Sequence, residues 1–160
     1  MAAQEMKPFL YSVERIIDSK MPAVWRAWTD SVALESWYHP VGLKALPGTT
    51  ISEPRVDGRW AVSVDVPEHN MTAYFFGAYT AYVEEALIEH TMLYTESAEE
   101  FAKANLDGPS HLVSVTFERR ESGVWVKFSQ FGELPEGHAP RAQAGMESYF
   151  DSLENYLRQP

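Results

Sequence analysis

The segment from 138 to 157 constrains this chain more than any other. Its apolar residues Ala142, Met146, Tyr149, Phe150, Leu153, Tyr156 and Leu157 recur at i, i+3, i+4 and i+7, the spacing of a helix with one buried stripe. The sequence ahead of it is β-rich and broken by turns. A lone terminal helix laid on a sheet makes an α+β layer, with an interval between the layers where a ligand can sit. If six of those side chains are buried, each contributes about 1.5–3 kcal/mol. That exceeds what surface charges contribute, so the helix is integral to the fold.

The remaining elements follow from local chemistry. Phe9 to Asp18 is rich in β-branched and aromatic residues and predicts a strand. Ser19 is a candidate cap for the next helix, and Pro22 sits in its first turn, where a missing N–H costs little. Val24, Trp25 and Trp28 share one helical face. Asp30 or Ser31 caps a second short helix that runs to about Trp37, ended by His39-Pro40. Residues 41–50 hold two glycines and one proline, directly after Pro40, and read as loop.

Ile51–Val56 leads into Asp57-Gly58, a pair that favours a type I′ hairpin turn. Arg59–Val66 alternates, with Trp60, Val62 and Val64 on one face and Arg59, Ser63 and Asp65 on the other. Met71–Glu84 predicts a long strand with a bulge or bend at Gly77, and Leu87–Thr95 predicts another. Ser97-Ala98-Glu99-Glu100 has capping-box form and predicts a short helix to about Leu106, stopped by Asp107-Gly108-Pro109. His111–Arg120 and Val124–Glu133 form a hairpin pair. The order β-α-α-β-β-β-β-(α)-β-β-α implies a curled antiparallel sheet gripping the last helix.

Bulk properties narrow the function. A chain of 160 residues fits one domain, 1–160, with a real core. The formal charge is −10, so nucleic acid and an anionic membrane surface are both repelled, and no basic patch offsets this. There is no cysteine, which removes disulfides, thiolate metal sites and cysteine nucleophiles. Met1 to Pro8 lacks the apolar core of a signal peptide, and no apolar run has membrane-spanning length. A cytoplasmic setting is the expectation. Monomer and homodimer both remain open.

Four strings carry a family resemblance. They are Val24-Trp25-Arg26-Ala27-Trp28-Thr29-Asp30 followed by Trp37; Arg55-Val56-Asp57-Gly58-Arg59-Trp60; Gly77-Ala78-Tyr79 followed by Leu87-Ile88 and Thr91; and Gly145-Met146-Glu147-Ser148-Tyr149-Phe150-Asp151-Ser152-Leu153. Together they resemble the activators of the ninety-kilodalton heat-shock-protein ATPase and their bacterial homologues. That family lies in the START-related, helix-grip (SRPBCC) superfamily that includes the birch-pollen allergen fold. The resemblance spans roughly residues 13–157. It implies one START-like domain, with a curled antiparallel sheet wrapped around a long C-terminal helix and two short helices after the first strand. Asp57 stands where that family usually has glycine, Met146 where tryptophan is common, and Phe150 where leucine is common. Members of the superfamily bind lipids, hormones and polyketides, act as co-chaperones or catalyse reactions, so function must be argued from the site.

Candidate site residues come from strand alternation. On Leu87–Thr95, an outward Glu89 places Ile88, His90, Met92 and Tyr94 inward; His111 aligns with Val113, Val115 and Phe117; Gln130 aligns with Val126 and Phe128. His90 and His111 are polar anchors or general bases in an apolar pocket, or hydrogen-bonded histidines of the core or rim. Gln130 is a buried amide that needs a partner, either the fold or a ligand.

The aromatics are numerous, and apolar cavities are commonly lined this way. Trp37, Trp60, Phe128 and Met146 fall near the helix–sheet interval. Three functions stay open. The first is a domain that binds an apolar or amphipathic small molecule, with apolar contact from Trp37, Trp60, Phe128 and Met146 and orientation from His90, Tyr94, His111 and Gln130. The second is a co-chaperone-like interaction module. The third is a small enzyme using a buried histidine or tyrosine. No metal-ligand spacing and no cofactor motif is present.

Overall fold

A computed structural model describes residues 7–159. Residues Met1 to Met6, most of the segment read above for a signal peptide, lie outside it. The elements run β1 (Phe9–Ile17), α1 (Met21–Thr29), α2 (Ser31–Trp37), β2 (Ile51–Ser52), β3 (Arg59–Val66), β4 (Met71–Val83), β5 (Leu87–Thr95), α3 (Ala98–Lys103), β6 (His111–Arg120), β7 (Gly123–Phe131) and α4 (Ala139–Leu157). Seven antiparallel strands form one sheet in the order β1-β7-β6-β5-β4-β3-β2. The sheet curls, and α4 lies in its concave face. This is the α+β helix-grip fold.

The buried stripe of α4 centres on Met146, Phe150 and Leu153, which pack with Trp28, Trp37 and Phe128 in one core. An ionic clamp adds to this contact. Arg15 on β1 donates to Glu147, Asp151 and Glu154 on α4 at 2.8, 2.7 and 2.7 Å. Its guanidinium also lies over the Phe150 ring, 5.7 Å from the centroid.

Local departures have physical causes. Lys20, not Ser19, is the N-cap of α1, without a side-chain bond, because Ser19 turns its N–H back to Ile17 O at 2.9 Å. Asp30 caps α2, accepting from Ala33 N at 3.0 Å. β2 stops at Ser52 instead of running to Val56. The turn after it closes from Gly58 N to Arg55 O, so Val56-Asp57 are its central residues. Asp57 takes a φ of 68°, a conformation aspartate tolerates. The type I′ turn at Asp57-Gly58 is therefore not formed. Gly58 is required for a different reason: a Cβ there would lie 1.9 Å from Glu53 O.

Ser63 is fully buried rather than facing water. The loop before β2 folds over the outer face of β3, and the Ser63 hydroxyl meets Leu46 N at 3.0 Å and Thr49 Oγ1 at 2.6 Å. On β4 the register shift falls between Tyr79 and Ala81, not at Gly77. Gly77 instead admits the Thr91 carbonyl, which would sit 1.9 Å from a Cβ. α3 ends at Lys103 because Ala104 turns left-handed, with φ 51°. Its Phe101 stacks on Tyr74 at 4.6 Å and covers the outer face of β4.

Candidate functional site

Under the middle of α4 the helix–sheet interval is filled with rings. Trp28 lies 4.8 Å from Trp37, 6.0 Å from Tyr38, 6.4 Å from Phe128 and 5.9 Å from Phe150, centroid to centroid. Trp37, Trp60, Phe128 and Met146 are all buried in this mass, and the Trp37 indole donates to Ala27 O at 2.7 Å. These four residues serve packing.

His90 is sealed in as well. Its ring stacks on Trp60 with centroids 3.8 Å apart and planes inclined by 23°. Its Nδ1 meets Thr91 O at 2.8 Å; a carbonyl only accepts, so Nδ1 carries the hydrogen. Burial pulls its pKa down to about 4, against the raising effect of that backbone bond. His90 is therefore a neutral core histidine at physiological pH.

The concave face extends past the last residues that the helices cover. There it forms a cleft of about 680 Å³, and none of its lining residues belongs to a helix. The floor is the inner face of β4 to β7, carrying Phe75, Met92, Tyr94, His111 and Gln130. The ladder sets these residues side by side: Phe75 opposite Tyr94, Met92 opposite His111, and Val113 opposite Gln130. Lys7-Pro8, Pro109-Ser110 and Gly132 to Leu134 form the walls. Lys7 Nζ donates to Ser110 O at 2.7 Å, which ties the strand-1 approach to the loop before β6.

Two polar groups of the floor, Gln130 and His111, form a continuous relay with Tyr11 of β1. Tyr11 Oη donates to Gln130 Oε1 at 2.6 Å. Gln130 Nε2 meets His111 Nδ1 at 2.7 Å. His111 Nε2 meets Glu133 O at 2.9 Å. Burial pushes the Tyr11 phenol well above its ordinary range, and proximity to Tyr149 adds to this. The buried amide of Gln130 is thus satisfied by the fold on both sides. Tyr94 lies on the same face but is half exposed. Its hydroxyl donates to Glu96 at 2.6 Å. Partial burial, that hydrogen bond and the Glu96 charge raise its pKa to about 12.

The structure therefore brings Tyr94, His111 and Gln130 together at one cleft. It puts Trp37, Trp60, His90, Phe128 and Met146 in the core beside it. The alternation of β1 points Tyr11 inward with Val13 and Ile17, but its pairing with Gln130 needs the β1–β7 register. Lys7 and Leu134 sit outside any periodic element, so no sequence signal marks them. Among the described residues, no three His, Asp or Glu side chains are grouped to hold a metal ion, and no helix is long and apolar enough to cross a membrane.

Comparison with known proteins places this geometry. A family model described as Activator of Hsp90 ATPase homolog 1-like protein matches residues 18–158. A crystallised protein of Chromobacterium violaceum is 18% identical, with a TM-score of 0.78 over 96% of this chain and 100% of that one. A protein of Staphylococcus epidermidis, solved in solution, is 20% identical, with a TM-score of 0.76 over 99% of this chain and 94% of that one. The AHSA1 protein of Silicibacter pomeroyi is 17% identical, with a TM-score of 0.75 over 92% of this chain and 96% of that one. At these identities the structural likeness establishes the fold. No curated protein matches the sequence.

Proposed function

The chain belongs to the Activator of Hsp90 ATPase homolog 1-like protein family, and we propose that it binds a small amphipathic molecule in the cleft beyond α4. The observation that carries this reading is the uncovered end of the concave sheet. It offers apolar surface from Phe75, Met92 and Leu134 next to the polar relay of Gln130 and His111. A cavity of several hundred Å³ with apolar surface beside a few convergent polar groups suits a small organic ligand. The site stands at the open mouth of the sheet, because the aromatic mass around Trp28 occupies the interval under α4.

Native mass spectrometry of freshly purified protein tests this. A retained small molecule, lost from a Met92→Trp variant that fills the cleft, supports it. A protein that carries nothing, and whose Ser110 and Gly132 amide resonances stay fixed through titrations with short-chain amphiphiles, refutes it.

A second reading is suggested by the description of the family itself, stimulation of a chaperone ATPase. It would use an exposed surface instead of a cleft, and Val32 and Val41, at 72% and 55% exposure, stand out near α2. An ATPase assay with a ninety-kilodalton chaperone distinguishes the two. The geometry lends no support to acid–base catalysis by His90, which lies beneath Trp60 out of reach of a substrate.

A further inference from the structure

The hydrogen bonds on the cleft floor run in one direction. The Glu133 carbonyl only accepts, so His111 Nε2 carries a hydrogen. In the neutral ring Nδ1 is then an acceptor, and it takes an N–H from Gln130. That leaves Gln130 Oε1 to accept from Tyr11. Each atom is satisfied only while His111 is uncharged.

A proton added at Nδ1 would point at the Gln130 amide N–H. A half-turn of that amide resolves the conflict: Oε1 accepts from His111 Nδ1, and Nε2 donates to Tyr11 Oη. The Tyr11 hydrogen is released from the chain and must turn elsewhere. The ring keeps both its bonds, so the floor holds a charged His111 for the cost of one amide rotation and of the acceptor that the buried Tyr11 hydrogen gives up.

The surrounding charges make that proton decisive. Lys7 from the segment before β1 and Glu133 from the loop after β7 are the two fixed charges among the lining residues, of opposite sign. From β5, Tyr94 is held neutral and tied to Glu96. From β1, Tyr11 stays neutral for the reason given above. Against Lys7, Glu133 and Glu96, a proton on His111 from β6 cancels the net negative charge around the cleft.

Resting on the reading of the cleft as a ligand site, we propose that it takes an organic anion with an apolar body. Proton uptake by His111, relayed through Gln130 to Tyr11, switches that preference on. The apolar body lies on Phe75, Met92 and Leu134, and the anionic group faces Lys7 and His111.

The test compares octanesulfonate, whose charge is constant over the range, with octanol. Binding is followed by chemical-shift titration of isotope-labelled protein at about pH 8 and about pH 5. The expected result is that octanesulfonate binds about fivefold more tightly at the lower pH, the effect of one unit charge at contact in a water-filled cleft. Octanol affinity stays constant, and His111→Gln abolishes the gain. The Gln130 side-chain amide resonances of the unaltered protein should move over the same pH interval, a readout that does not depend on a variant folding. Octanol binding with a flat octanesulfonate profile overturns the switch and leaves the cleft standing. A gain that persists in a folded His111→Gln protein, or Gln130 resonances that do not move, also overturns it. If neither molecule binds at either pH, both the switch and the cleft reading fall.

Discussion

Arg15 and Asp151 meet at 2.7 Å across the seam between the first strand and the last helix. The same guanidinium also holds Glu147 and Glu154, so three carboxylates on one helix face converge on a single cation. Arg15 is about three-quarters buried at its side chain, while Asp151 is half exposed. Solvent therefore screens part of the attraction. Arg15→Ala removes the fork and leaves three acidic groups facing one another. We expect a loss of about 1–3 kcal/mol in urea unfolding, with Arg15→Lys between the two because it keeps the charge but not the fork. A change below a few tenths of a kcal/mol would show that α4 is held by its apolar stripe alone.

His90 ties stability to acid. Its folded pKa of about 4 lies below the ordinary histidine value. The unfolded chain thus binds the proton more readily than the folded one. The contribution is complete above the ordinary value and is lost as pH falls from there toward about 4. The full swing is on the order of 3 kcal/mol. Urea unfolding across this window should show a shallower acid limb for His90→Gln than for the unaltered chain.

Gln130 joins two donors and acceptors that have no alternative partner in the relay. Gln130→Leu strands the Tyr11 hydroxyl and His111 Nδ1, and should cost about 1–3 kcal/mol. Tyr11→Phe should cost about 1 kcal/mol. Because the two share one bond, the double variant should be less destabilised than the sum of the singles. Additive losses in a double-mutant cycle would mean that the bond contributes nothing.

Met92 lies on the cleft floor, half-buried, opposite His111. Met92→Trp has open volume to grow into. It should leave the unfolding midpoint nearly unchanged and weaken binding of a short-chain amphiphile by about tenfold or more. Equal affinity in a folded variant would place the ligand elsewhere.

Much of this architecture is legible in the residues. The stripe of α4 gives the last helix, and the alternation Ile88, His90, Met92 gives the inner face of β5, because periodicity is a local property. The bounds of β3 and β5 follow from the same rule. Other features depend on what lies across the sheet. Ser63 alternates as an outward residue, yet a loop from another part of the chain covers it. Asp57 marks a turn, but its place in that turn depends on the ladder that Gly58 joins to Tyr79. Alternation brings His111 and Gln130 to one face. That Tyr11 completes their chain needs a register across 119 positions. Whether the helix–sheet interval is open or filled is a question of volume, decided by how the Trp28 ring meets its neighbours.

The pairing of Phe9 with Phe131 also has a consequence for biosynthesis. Translation delivers β1 first and β7 last of the strands, so the leading strand leaves the ribosome long before its neighbour exists. Closing so large a loop is entropically costly and slows maturation. Until β7 arrives, Tyr11, Val13 and Ile17 have no ladder to join, and nascent chains are prone to self-association. Truncation before residue 123 would make that immature condition permanent.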